Sequence, residues 1–216
     1  MSNSIISITK EQCFGCRSCE QICPKKCISF FPDNEGFLYP EIDENKCVKC
    51  ELCFTHCPVI NKNMVINEGI YLGLYLKDTT KIMESASGGV FAALADYVIS
   101  NHGVVFGCVF DERLQAKHIK VETMNELQSL KGSKYVSSDT LKTYSEVASI
   151  LKNQKSQIIL YSGTPCQIHG LYSYLGTRPE NLITADVICH GVPSQKLFNK
   201  YIEWLSKKYK SQILYY

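Results

Sequence analysis

The chain has 216 residues, 45% of them hydrophobic, and a formal net charge of +2 from 23 Lys and Arg against 21 Asp and Glu. That length suits one medium domain or a small domain joined to a larger one, and the near-balance of charge excludes the basic excess of a nucleic-acid binder. No run approaches the ~18 apolar residues of a membrane span, and the start MSNSIISITKEQC lacks a basic segment followed by an apolar one, so no membrane span and a cytoplasmic location are expected.

The first elements in chain order are two cysteine runs. Of the 12 cysteines, nine lie in the first 57 residues and three, Cys108, Cys166 and Cys189, are scattered beyond them. In a reducing compartment such clustering points to metal rather than disulfides. Cys13, Cys16, Cys19, Cys23 and Pro24 recur as Cys47, Cys50, Cys53, Cys57 and Pro58, both in the pattern C-x2-C-x2-C-x3-C-P. Three closely spaced thiolates can take three corners of an iron–sulfur cubane, and in two-cluster ferredoxins the fourth cysteine of each run serves the other cluster. The expected ligand sets are Cys13, Cys16, Cys19 and Cys57 for one 4Fe-4S cluster, and Cys47, Cys50, Cys53 and Cys23 for a second. Zinc is the alternative, but eight cysteines in two matching runs exceed what one zinc needs. Cys27 and His56 fall outside the pattern and read as packing residues. Phe30, Phe31, Phe37 and Tyr39, between the runs, are expected to keep water from the clusters.

After Pro58 the polar stretch NKNMVINEG reads as a linker with a boundary between residues 67 and 68. Beyond it, strands are expected near 70–77, 103–110, 157–162 and 182–188, with helices near 87–100, 143–153, 165–175 and 194–208; the stretch 111–140 is less regular. The whole is an α+β protein: a dicluster ferredoxin-like domain, 1–67, and an α/β domain, 68–216. Three turns could carry chemistry. Ser87, Gly88 and Gly89 precede an apolar helix, where backbone N–H groups could receive a phosphate or act as a plain cap. Gly163, Thr164 and Pro165 open another helix and place Cys166 at its N-terminus, which favours thiolate. Cys189 ends a strand, where ligands of open α/β sheets collect, and could converge with Cys166. Lys134 follows a small-residue turn and could face an anionic cofactor, whereas Cys108 reads as a structural thiol.

ESASGGVFAALADYV, KGSKYVSSD, YSGTPCQIHGL and DVICHGVPS, in this order behind the two cysteine runs, resemble the beta-subunit family of coenzyme F420 hydrogenases and dehydrogenases. The resemblance implies an iron–sulfur oxidoreductase in which FAD mediates between 4Fe-4S clusters and a hydride carrier such as coenzyme F420, working with a redox partner protein or subunit. It implies that Ser87, Gly88, Gly89, Gly163 and Thr164 belong to the flavin-binding surface and that Lys134 stabilises reduced flavin. It further implies that Cys166 and Cys189 ligate a third 4Fe-4S cluster, completed by a cysteine pair absent from this chain, which is therefore expected to be a truncated or split member with an incomplete flavin-binding-type domain. A simple electron-transfer module without its own substrate site is the alternative.

Overall fold

The computed structural model describes residues 4–61, 69–211 and 213. The expected boundary between residues 67 and 68 lies outside the described residues.

The two cysteine runs fold alike because they are alike. Helix α1 (Ser18–Ile22) and helix α2 (Leu52–Thr55) each start after a left-handed residue, Arg17 with φ 62° and Glu51 with φ 60°. Two residues earlier, Gly15 and Lys49 also have positive φ, at 65° and 55°. Left-handed conformations cost non-glycine residues about 1–2 kcal/mol, so their recurrence at matching positions shows that both runs wind around their cysteines in the same way. Between the helices, strands β1 (Ile28–Pro32) and β2 (Leu38–Ile42) form an antiparallel hairpin with Ile28 opposite Ile42. Its turn is held by the Asp33 carboxylate, which accepts from the N–H groups of Glu35 and Phe37, both at 2.9 Å.

The remainder is built on a four-stranded mixed sheet of order β4–β3–β5–β6. Strands β3 (Val104–Phe110), β5 (Ile159–Gly163) and β6 (Leu182–Asp186) are parallel, and β4 (Ala116–Val121) runs antiparallel along the outer side of β3. Alternation of side chains divides the sheet's faces between two cores. Val104, Phe106, Ile159, Tyr161 and Leu182 meet Tyr144 and Val147 of helix α6 (Thr143–Asn153) and Ile168 and Leu171 of helix α7 (Pro165–Leu175). Val105, Leu160 and Val121 meet Ala95, Val98 and Ile99 of helix α4 (Val90–Ser100) on the other face. Short helices α3 (Thr79–Met83) and α5 (Met124–Leu127) and the long α8 (Gln195–Tyr209) complete the described elements, beside two short 3-10 turns.

Two expectations from the sequence need correction. The apolar segment 70–77 forms no strand: Ile70, Tyr71, Leu72, Leu74 and Tyr75 are exposed, and the chain is held through Leu76 N–H to Gly88 C=O at 2.9 Å. Alternating apolar residues make a strand only where a partner edge accepts their hydrogen bonds, and none of the described strands pairs with it. The stretch 111–140, read as irregular, contains β4 and α5, the latter opened by a capping box between Thr123 and Glu126.

The cysteine-bearing region is fastened to the α/β region by polar contacts. Arg17 makes a two-pronged ion pair with Asp139, Nε to Oδ1 at 2.8 Å and Nη2 to Oδ2 at 2.9 Å. Gln21 Oε1 accepts from the N–H groups of Tyr144 and Ser145 in the first turn of α6. At the hairpin turn, Ser194 donates to Glu35 C=O and Lys196 to Asn34 C=O.

Candidate functional site

The cysteines gather around two cavities. Cys13, Cys16, Cys19 and Cys57 line one of about 380 Å³, with Phe30, Phe31 and Tyr39 in its wall. Cys47, Cys50, Cys53 and Cys23 line another of about 270 Å³. Each cavity therefore draws three cysteines from one run and the fourth from the other, the crossed arrangement expected of a two-cluster ferredoxin fold. Cys27 joins the second cavity, its Sγ 3.4 Å from that of Cys23, a position its placement outside the repeat did not indicate. Phe37 lines neither cavity; it faces a cleft toward α8.

The donor set fits iron–sulfur clusters chemically. Burial holds the thiols of Cys13, Cys19 and Cys53 above their ordinary pKa and pushes Cys16 up to about 12. Grouped thiolates in so dry a setting need a positively charged partner, which metal ions supply. Among the described residues no three Cys, His, Asp or Glu side chains are gathered closely enough to hold a single metal ion. His56 is engaged with the Leu52 carbonyl at 3.0 Å and faces neither set.

A third cavity, also about 380 Å³, lies beyond the carboxyl ends of β5 and β6, where open α/β sheets bind ligands. Gly163 and Thr164 line it, as do Gly89, Lys134 and Cys189. Ser87 and Gly88 are not in its wall. Gly88 instead admits the neighbouring backbone, since a Cβ there would lie 2.6 Å from Leu74 O. Lys134 donates its three N–H bonds to the carbonyls of Ser129, Lys131 and Gly132 at 3.1, 2.7 and 3.2 Å. Its charge remains, lowered in pKa by burial, but no donor is left for a ligand.

Helix α7 opens as expected, with Thr164 N–H donating to Gln167 Oε1 at 2.9 Å and Pro165 in the first turn. Cys166 Sγ sits 3.1 Å from Thr164 Oγ1 and close enough to Cys16 to raise its pKa. Cys189 is exposed at the third cavity and accepts from Gly191 N–H at 3.4 Å. The two thiols thus have different neighbours.

Sequence reading missed His118, which lies in this cavity's wall together with Cys108, read as a structural thiol. His118 is fully buried, its Nε2 donating to Ser162 C=O at 3.0 Å and its Nδ1 accepting from Ser138 Oγ at 3.3 Å. Gln167 Nε2 donates in turn to Ser138 Oγ at 3.0 Å. Only the neutral Nε2–H tautomer satisfies that chain, and burial accordingly lowers the His118 pKa to about 4. Its only sequence signal was an apolar alternation around residues 116–121.

Residues 12–61 match the family model of the 4Fe-4S dicluster domain, and residues 156–215 match the model of the C-terminal part of the coenzyme F420 hydrogenase/dehydrogenase beta subunit. The chain's first part is thus similar to dicluster ferredoxins and its last 60 or so residues to the C-terminal part of that beta subunit. The second match spans β5, α7, β6 and α8, the elements that carry Gly163, Thr164, Cys166 and Cys189. Among curated proteins, an uncharacterized polyferredoxin-like protein of Methanocaldococcus jannaschii is 33% identical over 70 residues, 29% of this chain and 40% of that protein. The epoxyqueuosine reductase of Bacillus cereus is 37% identical over 70 residues, 26% and 18% of the respective chains. An uncharacterized ferredoxin of M. jannaschii is 34% identical over 53 residues, 24% of this chain and 68% of its own. A chain of the F420-reducing NiFe hydrogenase complex of Methanosarcina barkeri overlays 64% of this chain and 52% of its own length, with TM-score 0.48 and 19% identity. The chain therefore spans well under two thirds of the first curated relatives it matches and about half of that solved chain. No helix among the described residues is long and apolar enough to cross a membrane.

Proposed function

We propose that this protein is an iron–sulfur flavoprotein oxidoreductase component. The crossed cysteine sets would hold two 4Fe-4S clusters and the third cavity a flavin, with a redox partner protein and a hydride carrier such as coenzyme F420 at the ends of the path. The observation that carries it is the gathering of the eight repeated cysteines into two cavities, each completed by the opposite run. When bound, the clusters supply one-electron chemistry and FAD the conversion between hydride and single electrons.

The chain's own residues orient and insulate. Phe30, Phe31 and Tyr39 limit water at the first cysteine cavity. Gly163 and Thr164 hold the lip of the third cavity, the His118–Ser138–Gln167 chain fixes its floor, and the Lys134 charge favours an anionic occupant. Cys166 and Cys189 would be ligands of a third cluster only if they came together, and here Cys166 stands near Cys16 while Cys189 lies at the third cavity.

Anaerobic reconstitution followed by iron, sulfide and flavin determination tests the reading. About eight irons per chain with bound flavin are expected, and uptake of zinc alone would sink it. The second reading, an electron carrier without flavin, is favoured by the spent donors of Lys134. Full iron loading without flavin absorbance would select it.

A further inference from the structure

We propose that Gly170 is a positioning residue for the first cysteine set: helix α7 backs the Cys16 side chain, so the α/β region controls the first cluster and leaves the second independent. This rests on the function proposed above.

A Cβ on Gly170 would lie 2.8 Å from Cys16 Cβ, 3.0 Å from Cys16 Sγ and 3.0 Å from Tyr144 Oη. Gly170 is buried in the middle of α7 without a positive φ, so it does not serve a turn. A helix-interior glycine costs about 1 kcal/mol relative to alanine, and what this one provides is room for the cysteine. Its neighbours cannot easily yield. Tyr144 is fully buried and its hydroxyl donates to Gln167 C=O at 2.9 Å. Cys16 is held by a backbone whose next residue, Arg17, is clamped to Asp139, while Thr140 Oγ1 donates to Cys16 C=O at 3.5 Å.

None of the other described glycines stands against a cysteine of the second set, whose cavity wall consists of residues between Ser4 and Cys53. The first cavity's lining also comes from the cysteine-bearing region, Ile5 through Val59, so α7 acts from behind Cys16 rather than through the cavity wall. The same helix carries Gln167, in the floor of the third cavity, one turn before Gly170. Through α7 the first cysteine set is mechanically tied to that cavity.

The test is anaerobic reconstitution of Gly170→Ala beside the parent, with iron counts, electron paramagnetic resonance of the reduced protein and midpoint potentials. The expected result is a fall from about eight irons to about four, or retained iron with one cluster's spectrum and potential shifted and the other's unchanged. Adding Tyr144→Phe removes the hydroxyl contact and leaves the Cys16 contact, so it should not restore the parent behaviour. A variant that keeps both clusters with unaltered spectra, or full restoration by Tyr144→Phe, overturns the proposal.

Should Gly170→Ala fail to fold, nuclear magnetic resonance of glycine-labelled protein without that substitution decides. The Gly170 signal should be broadened in the parent, recover in Cys57→Ala and stay broadened in Cys50→Ala; any other pattern overturns the assignment. A parent that binds no iron removes the proposed function and this inference together, whereas a two-cluster parent with an unaffected variant removes only the inference.

Discussion

The two halves of this molecule are held together by different physics. The α/β region has an apolar core on each face of its sheet, containing nine and eight buried residues, and a smaller cluster of three, Ala116, Val136 and Phe198. The cysteine-bearing region has a cluster of four, Ile5, Cys19, Cys27 and Ile28, two of them cysteines. A region of that size cannot bury enough apolar surface to offset its chain entropy without help. Its stability must come from whatever the thiolates bind, and from the polar clamp to its neighbour. One region folds in order to build a site; in the other, filling the site completes folding.

Removing the metal is the largest way to sharpen that contrast. Chelation under reducing conditions should unfold residues 4–61 and leave the sheet intact, seen as loss of hydrogen-exchange protection in the first part only. Cys57→Ala should remove one whole cluster, about four irons of about eight, and the lost signal should be the one also lost on mutating Cys13. Loss of the signal tied to Cys50 instead would break the crossed assignment.

In the α/β region, Leu160→Ala should cost about 2–5 kcal/mol in urea denaturation, because Leu160 is completely buried, with the iron content unchanged. Next in size is His118. Its folded pKa of about 4 lies below the usual unfolded value of about 6.5, so the unfolded chain binds the proton first. Stability is therefore full above about pH 6.5 and falls toward pH 4, by roughly 3 kcal/mol in all. His118→Gln should flatten that part of the pH profile.

Arg17→Ala tests the clamp between the halves. Its side chain and that of Asp139 are 13% and 27% exposed, so solvent weakens the pair, and a loss of about 1–2 kcal/mol is expected. The accompanying sign is faster exchange at the start of α6. The smallest effect is Thr123→Ala, which removes the cap of α5 and should cost about 1 kcal/mol. Helix α5 packs its Leu127 into the core beside α4 in the α/β region, so iron binding should not notice.

Much of the cysteine region was legible in advance because its signal is covalent spacing: C-x2-C-x2-C-x3-C-P constrains where sulfurs can go whatever surrounds them. The helices α4, α6, α7 and α8 and the strands β3, β5 and β6 were legible for a related reason, since periodicity of apolar residues repeats over each element. What the sequence concealed depends on partners distant along the chain. The alternation in 70–77 promised a strand that found no edge, while β4 became one because β3 offered its edge. His118 looked like one polar residue in an irregular stretch until β4 turned it beneath Ser162 and Ser138.

By itself, then, the sequence determined the repeated cysteine spacing and the strands and helices β3, α4, α6, β5, α7, β6 and α8, because spacing and periodicity act over a few residues. Only the tertiary structure decided that Cys27 joins the second set, that Lys134 spends its donors on carbonyls, and that Gly170 stands against Cys16. The first two are contacts within five residues whose geometry depends on how the local backbone turns, whereas the last joins residues about 150 positions apart and is settled by packing, which no local pattern encodes.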